Sequence, residues 1–363
     1  MLLLTQDNLM NLITMKEAIE AAEIAYKQCG DFPPLEAPEN RVYTPRPDKR
    51  IWTCANPGAT LQAVGSYTQC SARTYATVDA PSVHRWAPTP PPTWTIYSSD
   101  TAEILAVILG VPMAQVKEGS RFVALGTAAN NSAVGIKHLA RQNATRLGLF
   151  GTGYQARAHS VAMCEIRPIK SVKVYSRSVE NREEFCREWE PVLEIPIEPV
   201  SSPKEAVQGV DIIMSATSSS VPVFDGNWLE PGVHVSPVVG SGHKETELGG
   251  YKSIPRREID ETTFKRADVL VVNFREQMIH HQTPSWYHAI DQGAIALEDV
   301  KDLADVLSGR VAGRTNDEQI TLYQNVIPSG SANVSLAYKL YETAKQKGVG
   351  LEVTLPPGGH QED

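Results

Sequence analysis

The pattern of hydrophobic residues differs between two parts of the chain. The first part begins with a helical periodicity near the N-terminus. Thr14 and Glu17 stand at the spacing of a capping box, and apolar residues then recur at helical spacing as far as Tyr26. The sequence over residues 31–98 is rich in turn-forming residues, and the prolines of segment 87–94 exclude both a helix and a central strand there. This part of the chain therefore predicts one helix followed by extended segments and a proline-rich surface loop, with a lid on a site as the alternative for that loop.

From residue 127 onward the pattern changes. TAANNSAVGIKHLAR predicts a helix rich in small residues, and apolar runs of strand length then alternate with helical segments. The runs are RLGLF, SVKVYS, DIIMSAT, GVHVSPVVG and ADVLVVN. Ser202, followed by a proline and by Glu205, marks one of the helix starts between them. Strands that alternate with helices are typical of a parallel, doubly wound sheet in an α/β protein.

Three further segments complete the predicted elements. ILAVILG over residues 104–110 predicts a buried strand ahead of the alternating region. After it come a short strand at ITLY, residues 320–323, and a long helix over residues 332–347.

Composition narrows the class of protein. The chain has 363 residues with 42% hydrophobic and 21% charged residues, which is ordinary for one large domain or two smaller ones. A net charge of −8, with no long basic stretch and no zinc-finger spacing, argues against a nucleic-acid partner. No run approaches the roughly 20 apolar residues that span a bilayer. The five cysteines are scattered without a CxxC pair, which predicts reduced thiols, no metal site and a cytoplasmic protein.

The stretch LGLFGTGYQARAH contains a GxGxxA motif in the context that a dinucleotide site requires, between an apolar strand and a helical segment. Gly151 permits the tight turn, Gly153 lets the backbone approach the pyrophosphate, and Ala156 lets the helix pack on the strand. The residues predicted to seat the pyrophosphate are Gly151, Thr152, Gly153, Tyr154, Gln155 and Ala156.

The end of the next strand distinguishes NADP from NAD. An NAD site usually places a carboxylate there for the ribose 2′-hydroxyl, but this chain has Ser176, Arg177 and Ser178, with Arg182 one turn later. Hydroxyl groups and a guanidinium suit a 2′-phosphate, because arginine offers planar, bidentate donors. The sequence therefore favours NADPH, with a solvated surface arginine as the alternative interpretation.

In this order, several blocks resemble the ornithine cyclodeaminase/mu-crystallin family. They are GTAANNSAVGIKHLAR, the GxGxxA motif (hereafter the fingerprint), PVFDGNWLEPGVHVSPVVGSG followed by ETEL, GRTNDEQITLY and the closing helix. The resemblance implies a Rossmann-type domain over residues 127–319. It implies that this domain is inserted in a smaller α/β substrate-binding and dimerisation domain formed by residues 1–126 and 320–363. It also implies a homodimer and a substrate cleft between the two domains.

The family exchanges a hydride between nicotinamide and a carbon that carries an amine or imine, and this chain departs from the residues that a cyclodeaminase uses. Gly126 occupies the place of the arginine that binds the substrate carboxylate. Arg73 stands where a lysine belongs, and Ser241 replaces the aspartate that handles a proton. Gln324 replaces the lysine of the final strand, whereas the upstream substrate-binding arginine is matched by Arg41.

These departures have chemical consequences. Glycine offers no donor to a carboxylate, Arg73 stays protonated and cannot act as a base, and Ser241 cannot serve as an ionised base. A reductase tolerates these changes better than an ornithine cyclodeaminase does, because water or a histidine can supply its proton. His84, directly before the proline-rich segment, is the candidate histidine, with an exposed loop histidine as the alternative.

We therefore predict an NADPH-dependent oxidoreductase that reduces a C=N or C=O bond of a small, anionic, amino-acid-related substrate. Arg73, Ser241 and His84 are the predicted catalytic residues, and Arg41 and Arg73 the predicted anion contacts. By family analogy, the nicotinamide side is lined by Thr127, Thr217, Gly240 and Ser241. The alternatives are a cyclodeaminase-like lyase that recycles tightly bound NAD(P), and a non-catalytic NADPH-dependent binding protein like mu-crystallin.

Overall fold

The computed structural model describes residues 1–33, 35–44, 49–75, 84–86, 90–238, 256–327 and 329–356. For residues 43, 49–50, 72–75, 84–86 and 127 it describes the backbone alone.

The first of two large sheets is built mainly from the N-terminal third of the chain. Its strands lie in the order β18-β1-β7-β6-β4-β3-β2, with β5 paired to β4. β1 and β7 run parallel, and the other pairs are antiparallel. The strands are β1 Leu2–Leu4, β2 Asn40–Tyr43, β3 Lys49–Ala59, β4 Ala63–Tyr75, β5 His84–Trp86, β6 Thr93–Ser98, β7 Ile104–Leu109 and β18 Leu351–Glu352, and a separate hairpin joins β8 Met113–Gln115 to β9 Phe122–Ala124.

The second sheet is parallel throughout its described pairs, in the order β12-β11-β10-β13-β14-β17-β15-β16. Its strands are β10 Arg146–Phe150, β11 Ser171–Tyr175, β12 Ile197–Pro199, β13 Ile212–Ser215, β14 His234–Pro237, β15 Val269–Val272, β16 Val300–Asp302 and β17 Thr321–Gln324. The predicted fold class, a Rossmann-type parallel sheet joined to a smaller α/β unit, is confirmed.

Helices connect and cover the strands. They are α1 Met15–Asp31, α2 Thr127–Leu139, α3 Tyr154–Ile166, α4 Val179–Leu193, α5 Pro203–Val207, α6 Glu261–Arg266, α7 Arg275–His281, α8 Pro284–Asp291, α9 Leu303–Leu307 and α10 Gly330–Lys347, with 3-10 turns at Gln6–Leu9, Gly226–Trp228 and Leu297–Asp299. The capping box predicted before α1 is present, since Glu17 N donates to Thr14 Oγ1 and Thr14 N donates to the Glu17 carboxylate. Ser202 caps α5 in the same way.

The strand predicted at ITLY is present, but it belongs to the second sheet. β17 hydrogen-bonds between β14 and β15 inside the second sheet. The boundary predicted between residues 319 and 320 assigned this strand to the substrate-binding unit. All four residues of β17 are buried, as is typical of a strand in the middle of a parallel sheet.

The two faces of the first sheet differ. α10 packs on β3 and β4, so Trp52, Cys54 and Trp94 are buried on that face. The opposite face carries large apolar side chains that remain exposed. They are Val42, Val64, Tyr97 and Leu109, with exposed fractions of 67%, 45%, 37% and 37%.

Glu23 connects α1 to α2, the helix that precedes the second sheet. Its carboxylate accepts from Lys137 of α2 at 2.6 Å and pairs with Lys27 at 2.9 Å and with His138 Nε2 at 3.0 Å. Burial raises the pKa of Glu23, but the hydrogen bonds from its three basic partners outweigh burial and bring the pKa to about 2. The ionised carboxylate thus links α1 to α2.

Candidate functional site

The order of the second sheet reverses between β10 and β13. The chain runs outward from β10 through β11 to β12, then returns to β13 on the other side of β10. In open parallel sheets the crevice at the carboxyl ends of the strands beside such a reversal is the usual place for a ligand. The fingerprint turn at residues 151–153 follows β10 directly and lies at this crevice.

The two glycines of the fingerprint turn serve different purposes. Gly151 has φ +101°, and a Cβ added to it would stand 2.4 Å from Ala216 O, so both its conformation and its surroundings exclude a side chain. A Cβ on Gly153 would meet no atom of the described residues within 4 Å. Gly153 is also the N-cap of α3 and makes no side-chain cap, so the first amides of α3 are available for an anion. This turn fits a pyrophosphate.

Ala156 has no exposed surface where α3 packs against the fold. Tyr154 opens α3 with 58% of its surface exposed, and Thr152 and Gln155 are partly exposed. The predicted pyrophosphate residues therefore lie together at the edge of the crevice.

At the end of β11 one guanidinium has no partner among the residues that the structure describes. Arg177 is exposed and makes no hydrogen bond or ion pair within the described part of the chain. Arg182 donates from Nη1 to Ser176 O at 2.9 Å, and its guanidinium lies 5.8 Å from the centre of the Tyr175 ring, so it holds the turn. Ser178 caps α4 by accepting from the amide of residue 181.

The carboxyl ends of β13 and β14 are joined by a carboxylate that sequence reasoning missed. Glu258 has no exposed surface. One of its oxygens accepts from Thr217 N and from Thr217 Oγ1, each at 2.7 Å, and the other accepts from Val238 N at 2.9 Å. Thr217, predicted on the nicotinamide side, therefore lies beside the fingerprint turn with its hydroxyl bound to Glu258.

A row of polar side chains crosses the first sheet. The strand register sets Arg41 of β2 opposite Cys54 of β3, and Cys54 opposite Gln69 of β4, so the three share one face. Arg41 Nε donates to the buried carboxylate of Glu39, and Gln277 of α7 accepts from Glu39 N at 2.7 Å. Burial raises the pKa of the Cys54 thiol to about 12, with Glu39 adding to the effect and Arg41 opposing it. We call Arg41, Cys54 and Gln69 the polar row.

Tyr67 stands next to the polar row on the same strand and face. Its hydroxyl donates to Gln69 Oε1 at 3.1 Å, and its ring meets Trp94 edge-on with the ring centres 5.0 Å apart. Burial raises the pKa of the Tyr67 phenol well above its ordinary value, and Cys54 and Tyr154 contribute to the rise.

The residues predicted to be catalytic are described only in part. Arg73 lies in β4 opposite residue 86, and His84 lies in β5 opposite residue 75, so the chain around His84 is a short paired strand. Their side chains, and all of Gly240 and Ser241, lie outside the described residues. Thr127 begins α2, again with its side chain outside the description.

Two positions at which the chain departs from the family have described surroundings. Gly126 is the N-cap of α2, and a Cβ added to it would meet no atom of the described part of the chain within 4 Å, so there is room at the position where the family resemblance implies an arginine. Gln324 ends β17 and accepts from Trp286 Nε1 at 2.7 Å with no surface exposed, which is a packing role.

Among the described residues, no cluster of three or more His, Cys, Asp or Glu side chains could hold a metal ion. No helix in the described part of the chain has the length and apolar character needed to span a membrane.

Comparisons with known proteins agree with this geometry. The model of the ornithine cyclodeaminase/mu-crystallin family matches residues 98–348. A Δ1-pyrroline-2-carboxylate reductase of Bacillus cereus is 31% identical over 245 residues, which cover 67% of this chain and 70% of that protein. An alanine dehydrogenase of Archaeoglobus fulgidus is 27% identical over 97% of this chain and 98% of its own length. The structure of the Thermococcus litoralis Δ1-pyrroline-2-carboxylate reductase in complex with NADH and L-proline superimposes with a TM-score of 0.78, at 25% identity over 97% of this chain and 100% of that one.

Proposed function

Because the chain belongs to the ornithine cyclodeaminase/mu-crystallin family, we propose that it is an NAD(P)-dependent oxidoreductase of the imine reductase and amino-acid dehydrogenase type. Its substrate is a small imine or carbonyl compound that carries a carboxylate. The observation that carries the proposal is the polar row, whose Arg41 pairs with Glu39, a residue hydrogen-bonded to Gln277 in the helix that follows β15 of the second sheet. The likeness to a reductase of a cyclic imino acid supports the same substrate class.

The crevice fits a dinucleotide. Gly153 leaves open space, the N-terminus of α3 lacks a side-chain cap, and Gly151 takes the positive φ that the turn requires. A bound nicotinamide cofactor would supply the hydride. The residues of this chain bind its phosphates, orient it and exclude water from the reacting carbon.

NADPH is the cofactor that this chain favours in our proposal. Arg177 is exposed, and no described residue pairs with it, at the end of β11, where an NAD enzyme usually has a carboxylate. A 2′-phosphate would give that guanidinium a partner of matching geometry, with Ser176 beside it.

The polar row accounts for an anionic substrate. Arg41 is always protonated and can hold a carboxylate, and its pairing with Glu39 fixes the direction of the guanidinium. Gln69 adds an amide donor on the same face. Arg73 lies further along β4 and is a second cation for the same role.

Reduction of a C=N bond requires a hydride at carbon and a proton at nitrogen. Tyr67 is kept protonated by burial, so it can donate a hydrogen bond or a proton but cannot act as a base at neutral pH. Its hydroxyl borders the polar row and joins His84 and Ser241 as a candidate proton donor.

We propose that the protein is a homodimer whose subunits pair through the exposed face of the first sheet. That face presents Val42, Val64, Tyr97 and Leu109, and a second copy of the chain would remove them from water. The family resemblance implies a homodimer formed through the N-terminal domain, to which this sheet belongs. Light scattering on the full chain, with Val64→Lys and Tyr97→Lys as surface variants, distinguishes a dimer from a monomer.

Turnover assays test the proposed function. The purified protein should consume NADPH with Δ1-pyrroline-2-carboxylate, or with pyruvate plus an amine, as followed by the absorbance of the reduced nicotinamide. Turnover without added cofactor would instead indicate a lyase that recycles bound NAD(P). Tight binding of NADPH without oxidation by any imine or keto acid would indicate a binding protein.

A further inference from the structure

Glu258 controls the conformation of Thr217. The Thr217 hydroxyl donates to Glu258 and accepts from Ser219 N at 3.0 Å, so it is committed to the protein. The Thr217 methyl carbon lies 3.5 Å from the point where a Cβ would stand on Gly151. The methyl group therefore faces the fingerprint turn while the hydroxyl is held by the buried carboxylate.

Glu258 is itself held in place by the backbone around it. Val223 N donates to Glu258 O at 2.9 Å, and Gly226 N donates to Asp260 Oδ2 at the same distance. Asp260 also caps α6 through Thr263 N, so the segment that carries Glu258 is fixed at two points. A carboxylate on such a segment is pre-organised and does not have to be ordered when a ligand binds.

We infer that Glu258 is a positioning residue for the hydride-transfer step. Through Thr217 and the amide of Val238 it fixes the ends of β13 and β14, the edge of the crevice that borders the fingerprint turn. The inference rests on the proposed function, because it assumes that the nicotinamide half of the cofactor is held at this edge.

The expected defect differs from the loss of a phosphate contact. A misplacement of about 1 Å at the reacting centre can cost about a hundredfold in rate. Glu258→Gln replaces one accepting carboxylate oxygen with an NH2 group, which cannot accept a hydrogen bond from the N–H groups that face the side chain. Because the side chain then no longer holds the Thr217 hydroxyl, Thr217 loses its fixed rotamer. Contacts to the adenosine half do not involve Glu258 and are unchanged.

The first experiment compares Glu258→Gln with Glu230→Gln, the same change at an exposed glutamate that accepts from Gly209 N and lies outside the contacts of Thr217. With NADPH and Δ1-pyrroline-2-carboxylate, Glu258→Gln should lower kcat by about a hundredfold and raise the primary isotope effect with 4-deuterated NADPH. Glu230→Gln should leave kcat and the isotope effect unchanged. Equal loss of kcat in both variants would reduce Glu258 to a general stabilising residue and overturn the inference.

A double-mutant cycle with Thr217→Val tests whether Glu258 acts through Thr217. Thr217→Val removes the hydroxyl at constant shape, so the double variant should be no slower than Glu258→Gln alone. Additive losses would contradict the inference.

Binding measurements keep the inference separate from the proposed function. The Kd for NADPH should rise in Glu258→Gln, while the Kd for 2′-phospho-ADP-ribose, which lacks nicotinamide, stays the same. The ratio of these two Kd values can be measured even if the wild-type protein reduces no imine. That outcome would refute the proposed function but not the inference. If Glu258→Gln does not fold, Thr217→Val removes the hydroxyl that Glu258 holds and leaves Glu258 in place. It should raise the Kd for NADPH and not the Kd for 2′-phospho-ADP-ribose, and an unchanged Kd for NADPH would overturn the inference.

Discussion

Arg177→Glu should reverse the preference of the enzyme between its two cofactors. A charge-assisted hydrogen bond is worth about 1.5–3 kcal/mol, so losing the guanidinium should raise the KM for NADPH about 10- to 150-fold. Repulsion between the new carboxylate and the 2′-phosphate adds to this loss, whereas NADH has no phosphate there and its ribose hydroxyl can pair with the glutamate. Because Arg177 is exposed and unpaired within the described chain, the free energy of unfolding should change by less than about 0.5 kcal/mol.

The assay measures kcat/KM for both cofactors with one imine substrate, alongside thermal melting. Arg187→Glu is the matched control, because it makes the same charge change at an exposed position further along α4. It should leave the ratio of the two kcat/KM values unchanged. Equal changes for NADPH and NADH in Arg177→Glu would refute the assignment of the 2′-phosphate, as would a wild-type protein that prefers NADH.

Three further outcomes follow from the described contacts. Gly153→Ala should raise the KM for the cofactor and leave the melting temperature unchanged. Gly151→Ala should lower the melting temperature, because its Cβ would stand 2.4 Å from Ala216 O at φ +101°. Equal losses of melting temperature in the two variants would contradict the different purposes assigned to the two glycines. Glu23→Gln should cost about 1–2 kcal/mol at neutral pH. Because the folded pKa of Glu23 is about 2 and its ordinary value is 4.5, its contribution is complete above pH 4.5 and is lost as the pH falls toward 2; denaturant titrations across that range should show a shallower acid loss in the variant. Gly126→Arg has room to fold and should lower the KM for a carboxylate substrate about tenfold by adding a charged donor; an unchanged KM would remove this position from the substrate site.

Local signals in the sequence were sufficient for many of the elements and for the fingerprint turn, but not for β6. That central strand begins at Thr93, inside the proline-rich segment where a central strand was expected to be excluded. Thr14, Ser202 and the fingerprint glycines are recognisable because a cap or a tight turn depends on residues within one turn of the chain. The parallel sheet followed from apolar runs that alternate with helices.

Features that depend on long-range pairing could not be predicted in this way. The polar row exists only because a register between three strands aligns Arg41, Cys54 and Gln69, and no local pattern specifies that register. Glu258 meets Thr217 across 41 positions of sequence, and nothing near either residue identifies the other. The roles of Arg73, His84 and Ser241 remain predictions.

The position of β17 has a consequence for how the protein is made. During synthesis β15 and β16 leave the ribosome before β17, the strand that joins them to β14. Until β17 arrives, the facing edges of β14 and β15 carry unpaired backbone groups, which are templates for pairing with other chains. α10, the helix that covers the first sheet, is made later still, directly after β17. Completion of both sheets thus waits for one late segment, and a nascent chain stalled before residue 321 should depend on chaperones to avoid aggregation.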